Sequence, residues 1–241
     1  MKNKKWRWVV FCLVILNVDA LWISAWADSY TGEIYQRGSA QQKTLYRLKR
    51  EEKKTKDGLS VQSLFSDPSD KPAVAESTTI ENGQIKEYRQ IQHQIGAEGV
   101  LTVEGNRIKF RYTRDGKTKS DEESLTDNFI IAPTTVEFIA KHWKQILNGE
   151  TVDSRFAVLD RVETVGFKFF KVGETQLENQ EVVIVKMKPT SFIIAAIVDP
   201  ILFYLSKSNQ RLLKLDGRVP PKQFVDGKWK DLDAEIIYRY K

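Results

Sequence analysis

Three two-residue turns in quick succession limit what this chain can fold into. Asn82-Gly83, Gly105-Asn106 and Asp115-Gly116 each separate two segments with strand character. Such pairs supply the positive φ angles that a tight hairpin requires. They join 77–81 to 84–95, 100–104 to 107–113, and 107–113 to 117–125. Ile108, Phe110 and Tyr112 alternate along one of these segments, as they would on a strand with one face on a core. Consecutive hairpins of this kind predict an antiparallel meander.

The rest of the chain carries similar punctuation. Strand-like segments cover 32–36, 59–65, 152–159, 163–172, 181–188, 211–215 and 234–240. The run VVIVKMK at 182–188 is continuous enough to be buried on both faces at its start. Residues 41–56 (QQKTLYRLKREEKKTK) are ambiguous. Their composition favours helix, while their flanks suggest a long charged strand at a sheet edge, where Lys and Glu block unwanted pairing. Strand is the preferred reading. Its charges read as a solvated face of mixed sign rather than a basic patch for lipid headgroups. Residues 65–75, with two prolines, read as a loop within one domain, and 217–227, containing Pro220-Pro221, as another.

One amphipathic helix stands out. Thr134 and Glu137 have the spacing of a capping box. Val136, Ile139, Trp143 and Ile146 then recur on one face, and Asn148-Gly149 closes the segment. A single helix among strands packs most simply across one face of the sheet, with Trp143 as its main anchor.

The segment 192–205 (FIIAAIVDPILFYL) is interrupted only by Asp199 and Pro200. At 14 residues it is too short to cross the roughly 30 Å hydrocarbon core of a bilayer. A short helix over 192–198, capped by Thr190 or Ser191 and ended at Pro200, is expected. An all-apolar helix needs apolar surroundings. It would be the central core element of the domain, a lid over an apolar cavity, or an element inserted in a membrane surface. Ile194→Asp or Ile197→Asp is accordingly expected to do more damage than any charge substitution between Arg47 and Lys56.

The first 27 residues have the form of a secretory signal peptide. Lys2, Lys4, Lys5 and Arg7 open it, an apolar run follows from Trp8, and Ala25-Trp26-Ala27 forms a small-x-small cleavage signature. Cleavage after Ala27 would leave a single β-rich domain, 28–241, in the bacterial periplasm. Asn17 and Asp19 argue against a retained anchor. The one cysteine, Cys12, would leave with the signal, so the mature chain would carry no disulfide and no thiol. Cys12 follows Phe11 rather than a small residue, which counts against a lipid-bearing cysteine. Half of the +6 formal charge lies in this leader. The mild, dispersed remainder excludes a nucleic-acid footprint.

Catalytic patterns are missing. His93 and His142 are the only histidines, and neither has a His, Cys or carboxylate at ligand spacing. There is no G-x-S-x-G or H-E-x-x-H. Asp115-Gly116-Lys117-Thr118 lacks the preceding glycine of a phosphate loop, and Asp121-Glu122-Glu123 reads as a polar strand end. No enzyme activity, metal or cofactor is expected.

From 152 to 215 the order is a strand, Asp160-Arg161, a strand bearing Val165-Gly166-Phe167, a long hairpin into VVIVKMKP, and a final pair ending at Arg211-Leu212-Leu213. An exported meander of this kind resembles the half-barrel proteins of the bacterial envelope, which include the lipoprotein carriers LolA and LolB and related families of unknown function. The resemblance implies a curved sheet enclosing an apolar groove, with helices as a lid. It carries over no catalytic residue.

The expected fold is therefore mainly β with minor α: a curved antiparallel sheet or half-barrel, with one long amphipathic helix and a short apolar helix packed on its concave face. The expected function is binding of a lipid, acyl chain or lipidated partner such as a lipoprotein, with at most transient membrane-surface contact and no nucleic acid. The candidate groove or lid residues are Phe192, Ile193, Ile194, Ile197, Val198, Leu202, Phe203 and Trp143. The alternative is an envelope protein–protein interaction module without a small-molecule ligand.

Overall fold

The turn dipeptides set the first half of the sheet. Asn82 and Asp115 take φ of 50° and 52°, and Gly83 and Gly116 follow at 75° and 72°, as the mirror-image turns of tight hairpins require. A computed structural model describes residues 29–196 and 198–240. The leader 1–27, with Cys12, and the candidate Ile197 lie outside the described residues.

Eight strands run as a meander: β1 (Tyr30–Gln36), β2 (Thr44–Lys54), β3 (Gly58–Ser66), β4 (Pro72–Glu81), β5 (Gln84–Gln92), β6 (Ala97–Glu104), β7 (Arg107–Arg114) and β8 (Lys117–Ser124). A short β9 (Phe129–Ile130) leads into helices α1 (Thr135–Lys141) and α2 (Trp143–Leu147). The second meander comprises β10 (Val152–Val158), β11 (Glu163–Leu177), β12 (Gln180–Pro189), β13 (Ile201–Ser206), β14 (Leu212–Val225) and β15 (Lys228–Tyr240), with the one-turn α3 (Phe192–Ala195) before β13.

Pairing of β1 with β15 fuses the two meanders into one 15-stranded sheet, ordered β8 to β1, then β15 down to β9. Every described pair is antiparallel except β9 with β10. The fold is thus mainly β, a curved open sheet with few helices. Its two edges approach each other. Thr164 of β11 donates from its backbone N–H (2.9 Å) and its hydroxyl to the Glu123 carboxylate of β8. A 3-10 turn, Leu159–Arg161, lies against β6, where a Cβ added to Gly99 would fall 2.8 Å from that of Leu159.

The core is divided. Ile139, Trp143 and Ile146 of the helices pack on Phe169, Val183 and Phe203 of the second meander. Ile34, Leu48, Phe65 and Ile236 form a second cluster around the β1–β15 junction. Leu101, Ile108 and Phe110 form a third with Ile131 and Leu159. Val182 and Val183 are both fully buried, so β12 is covered on both faces at its start, as its sequence predicts.

Several expectations need correction. The long amphipathic helix is two short pieces, α1 and α2, broken at His142 (φ −103°, ψ 17°). The His142 ring Nδ1 donates to the Phe138 carbonyl at 2.9 Å, competing locally with regular helix geometry. No capping box forms at Thr134. A 3-10 turn, Ala132–Thr134, precedes the helix, the Thr134 hydroxyl turns back to Ile131, and Glu137 turns inward. Residues 41–56 do supply a strand, β2, but it is no edge: β1 and β3 pair with it on either side, and Leu48 and Arg50 are buried.

The 65–75 loop shrinks to a turn because the Asp67 carboxylate accepts the N–H groups of Ser69 and Lys71 (2.8 and 3.0 Å). The 217–227 loop is instead strand. Its register jumps from Val219–Leu232 to Lys222–Asp231 across Pro220-Pro221, which have no N–H to give the ladder.

The 192–205 segment is not one core element. Among its described residues only α3, a single turn, is helical, and Phe192 and Ile193 are 95% and 81% exposed. No residue of α3 is buried, so it does not pack as a helix on the concave face. The reason is the Asp199-Pro200 break. It divides the run between a turn at the rim of the sheet and the paired strand β13, two environments that apolarity alone does not distinguish.

Candidate functional site

Wrapping the sheet creates a half-open cavity of about 780 Å³. The pleat decides its lining, since alternate residues of each strand point inward. On one side the wall is apolar: Phe156, Val165, Phe167, Met187, Phe203 and Leu215 face the space. Across the first meander polar side chains join Leu48 and Phe65 in the lining, and the register explains how. Tyr240 pairs with Tyr30, Tyr30 with Arg50, Arg50 with Ser63, Ser63 with Glu76 and Glu76 with Gln90. All six line the cavity, so five hydrogen-bonded strand pairs carry one polar belt across β15 and β1 to β5.

Arg50 is the hub of the belt. Its Nε and Nη2 donate to Glu52 Oε1 at 3.0 and 2.7 Å, and its Nη1 donates to the Pro133 carbonyl at 3.2 Å. Glu137 of α1 stands 3.6 Å from Nη2. The guanidinium lies 5.5 Å from the centre of the Tyr30 ring. Arg50 therefore ties the helical segment to the sheet through the cavity. Further along the belt, Glu76 accepts from the Tyr88 hydroxyl (2.7 Å) and the Gln90 amide (2.9 Å).

Burial shapes the acidity of these groups. Desolvation pushes the Glu76 and Glu137 carboxyls up, against the hydrogen bonds and the positive charge of Arg50 that pull them down. It also raises Tyr30 to about 12. For Arg50 burial works toward release of the proton, but Tyr30, Glu137 and Glu52 outweigh it and the group is held more firmly charged. Among the described residues, no group of three or more His, Cys, Asp or Glu could hold a metal.

The candidates named from the sequence fall in different places around this cavity. Ile194, Val198 and Phe203 line it, the first two at its rim beside Asp199, which Arg37 holds at 3.3 Å. Phe192 and Ile193 point to solvent. Leu202 is half-buried on β13 and Trp143 is buried in the helix–sheet core; neither lines the cavity. Sequence reasoning misses the polar belt altogether. Its one signal is the polar members of strand segments at period two, such as Arg50-Glu51-Glu52, where the first and third share a face.

No protein-family model matches the chain, and no curated protein matches it. Solved structures do. The chain is similar to a β-barrel-like protein of the domain of unknown function DUF1849 from Brucella abortus, with a TM-score of 0.51 and 9% identity, over 89% of this chain and 94% of that one. It also aligns with a putative outer membrane lipoprotein-sorting protein domain from Vibrio parahaemolyticus (TM-score 0.27, 12% identity, 89% and 84% covered). A DUF1329 family protein from Desulfovibrio piger aligns as well (TM-score 0.26, 11% identity, 88% and 82% covered). The likeness to the Brucella protein is one of fold, and it meets the resemblance to half-barrel families of unknown function drawn from the sequence.

Proposed function

We propose that this protein is an exported, non-catalytic carrier or receptor that holds an acyl chain, lipid or lipidated partner inside the sheet. The observation that carries this reading is the cavity itself. Its volume of about 780 Å³ falls within the roughly 300–1,000 Å³ of small-molecule sites, and one wall is built of aromatic and aliphatic side chains from β10 to β14. Burial of an acyl chain against such a wall gains about 25 cal/mol per Å² of apolar surface. Export rests on the leader at 1–27 and the periplasm on the same residues. Mass spectrometry of an organic extract of protein purified from its native envelope is expected to find a co-purified lipid. Absence of any lipid, together with failure to bind soluble short-chain lipids, overturns the reading.

The alternative, an interaction module, draws on one specific observation. At the tip of the β14–β15 hairpin Phe224 and Trp229 stack edge to face at 5.2 Å while 62% and 40% exposed. Exposed aromatic pairs of this kind suit a protein contact. Crosslinking in intact cells separates the two: a stoichiometric protein partner lost in Trp229→Ala but kept in cavity variants favours the second reading.

A further inference from the structure

The cavity is amphipathic, and its polar side is short of donors. Two buried atoms that face no hydrogen-bond partner in the protein belong to lining residues of the belt and the row beside it: Glu137 Oε2 and Gln92 Oε1. Gln92 is only 8% exposed. Its amide orientation is fixed, because Nε2 donates to the Pro220 carbonyl at 3.0 Å, and a carbonyl can only accept. Gln92 is joined to the belt through Gln90 (3.3 Å), which in turn donates to Glu76. Both orphaned atoms are therefore acceptors. A buried acceptor without a donor costs about 1–3 kcal/mol, so a ligand group that brings donors to these two atoms is favoured there.

Charge points the same way. Around the belt, Glu76 and Glu137 both feel the guanidinium of Arg50, which is itself closed on Glu52. The donors of Arg50 are already directed at Glu52 and Pro133, and the lining cations Arg114, Arg161, Arg218 and Lys222 are each paired with a carboxylate, which leaves little for an anionic headgroup to take. A group that supplies several N–H donors and one positive charge would satisfy the orphaned acceptors and balance the carboxylates.

We propose that the polar belt is a headgroup site for a primary ammonium, and that the ligand is an amphiphile whose ammonium sits among Glu76, Gln92 and Glu137 while its chains lie on the apolar wall. This rests on the lipid-binding reading above and adds selectivity to it. A primary ammonium has three donors on a compact charge. An anionic lipid with the same chains would meet carboxylates instead.

The test uses soluble short-chain lipids that share chains and phosphate: dihexanoylphosphatidylethanolamine and dihexanoylphosphatidylglycerol, titrated into the mature protein by calorimetry. Spermidine, an amine without chains, is titrated alongside. The expected result is a Kd at least tenfold lower for the ethanolamine lipid than for the glycerol lipid. In Glu137→Gln that ratio is expected to fall within threefold, with the glycerol lipid affected least. Gln92→Leu, which deletes the other orphaned acceptor, is read in the same way should Glu137→Gln fail to fold. Equal affinities, or preference for the glycerol lipid, overturn the headgroup site and leave lipid binding standing. Binding of neither lipid overturns both. Spermidine binding within threefold of the ethanolamine lipid overturns the amphiphile and assigns the site to a soluble amine.

Discussion

Arg50 and Glu52, two positions apart on β2, close on each other inside the cavity, with Nη2 2.7 Å from Oε1. Their side chains are 7% and 3% exposed, so this is a buried pair set in a strand that otherwise reads as a surface charge run. Removing one member of such a pair strands the other, which costs about 3–5 kcal/mol. Arg50→Met is therefore expected to lower unfolding stability by about 3 kcal/mol. The double variant Arg50→Met/Glu52→Leu should recover part of that loss, as neighbours in one network do not add. Ile194→Asp, at the half-exposed rim, should cost less than about 1 kcal/mol. Urea unfolding of the three variants ranks them. This order reverses the one expected from sequence, where the 47–56 charges read as solvated.

Acidification should stabilise the fold before it destabilises it. Burial holds Glu76 and Glu137 above their ordinary value of 4.5. Their protonated forms are thus favoured in the folded state. The stability this confers is fully present below pH 4.5 and is lost as pH rises through their raised values. Depressed carboxylates act elsewhere. Lys171 and Lys207 hold the exposed Glu174 at about 2. Burial works to raise Asp231, but Lys222 and Arg218 keep it below 3.8. Their contributions are lost only as pH falls below the ordinary carboxylate range. Tm is expected to rise as pH falls from 7 toward 4.5, and Glu76→Gln to flatten that rise. A Tm that falls steadily over this range in the wild type contradicts the assignment.

Much of this architecture is legible because it is written in local pairs. Asn82-Gly83 and Asp115-Gly116 fix hairpins whatever lies around them, and VVIVKMK marks a doubly covered strand. What stays illegible depends on which partner a residue meets. Arg50 looks like its neighbours Lys49 and Glu51, and only strand pairing on both sides of β2 turns it inward. Glu137 reads as a cap because spacing shows the helix start but not the buried guanidinium that draws the carboxylate away. The apolar run at 192–205 shows its composition but not its division at Asp199-Pro200. Of the candidate site, the rim and one wall residue can be named from sequence, whereas the belt exists only in the register of six strands.

The seam between the two sheet edges leans on one glycine. A Cβ at Gly99 would meet Leu159 Cβ at 2.8 Å and Cδ1 at 3.0 Å. Leu159 is itself 7% exposed in the third core cluster, so it has little room to withdraw. Gly99→Ala is expected to cost about 1–3 kcal/mol through overpacking and to loosen the 3-10 turn that follows β10. Hydrogen exchange at Val162, whose N–H donates to the Leu159 carbonyl at 3.2 Å, should accelerate along with the loss in urea midpoint. Protection unchanged at Val162 places the strain elsewhere.

Phe192 and Phe203 belong to the same apolar run and should respond in opposite ways. Phe192 is 95% exposed on α3, and Ile193 beside it 81%. Polar replacement there removes no buried contact, so Phe192→Ser and Ile193→Ser are expected to stay within about 0.5 kcal/mol of wild type. Phe203 is 4% exposed, packs against Phe169 at a centroid distance of 6.3 Å, and forms part of the cavity wall. Phe203→Ser should cost about 3 kcal/mol, the low end for truncating a buried phenylalanine, since one side of the ring already faces open space. Urea midpoints at constant slope decide the comparison. If Phe192→Ser unfolds as early as Phe203→Ser, the α3 turn is packed in solution as part of the core, and the division of this segment at Asp199-Pro200 does not hold.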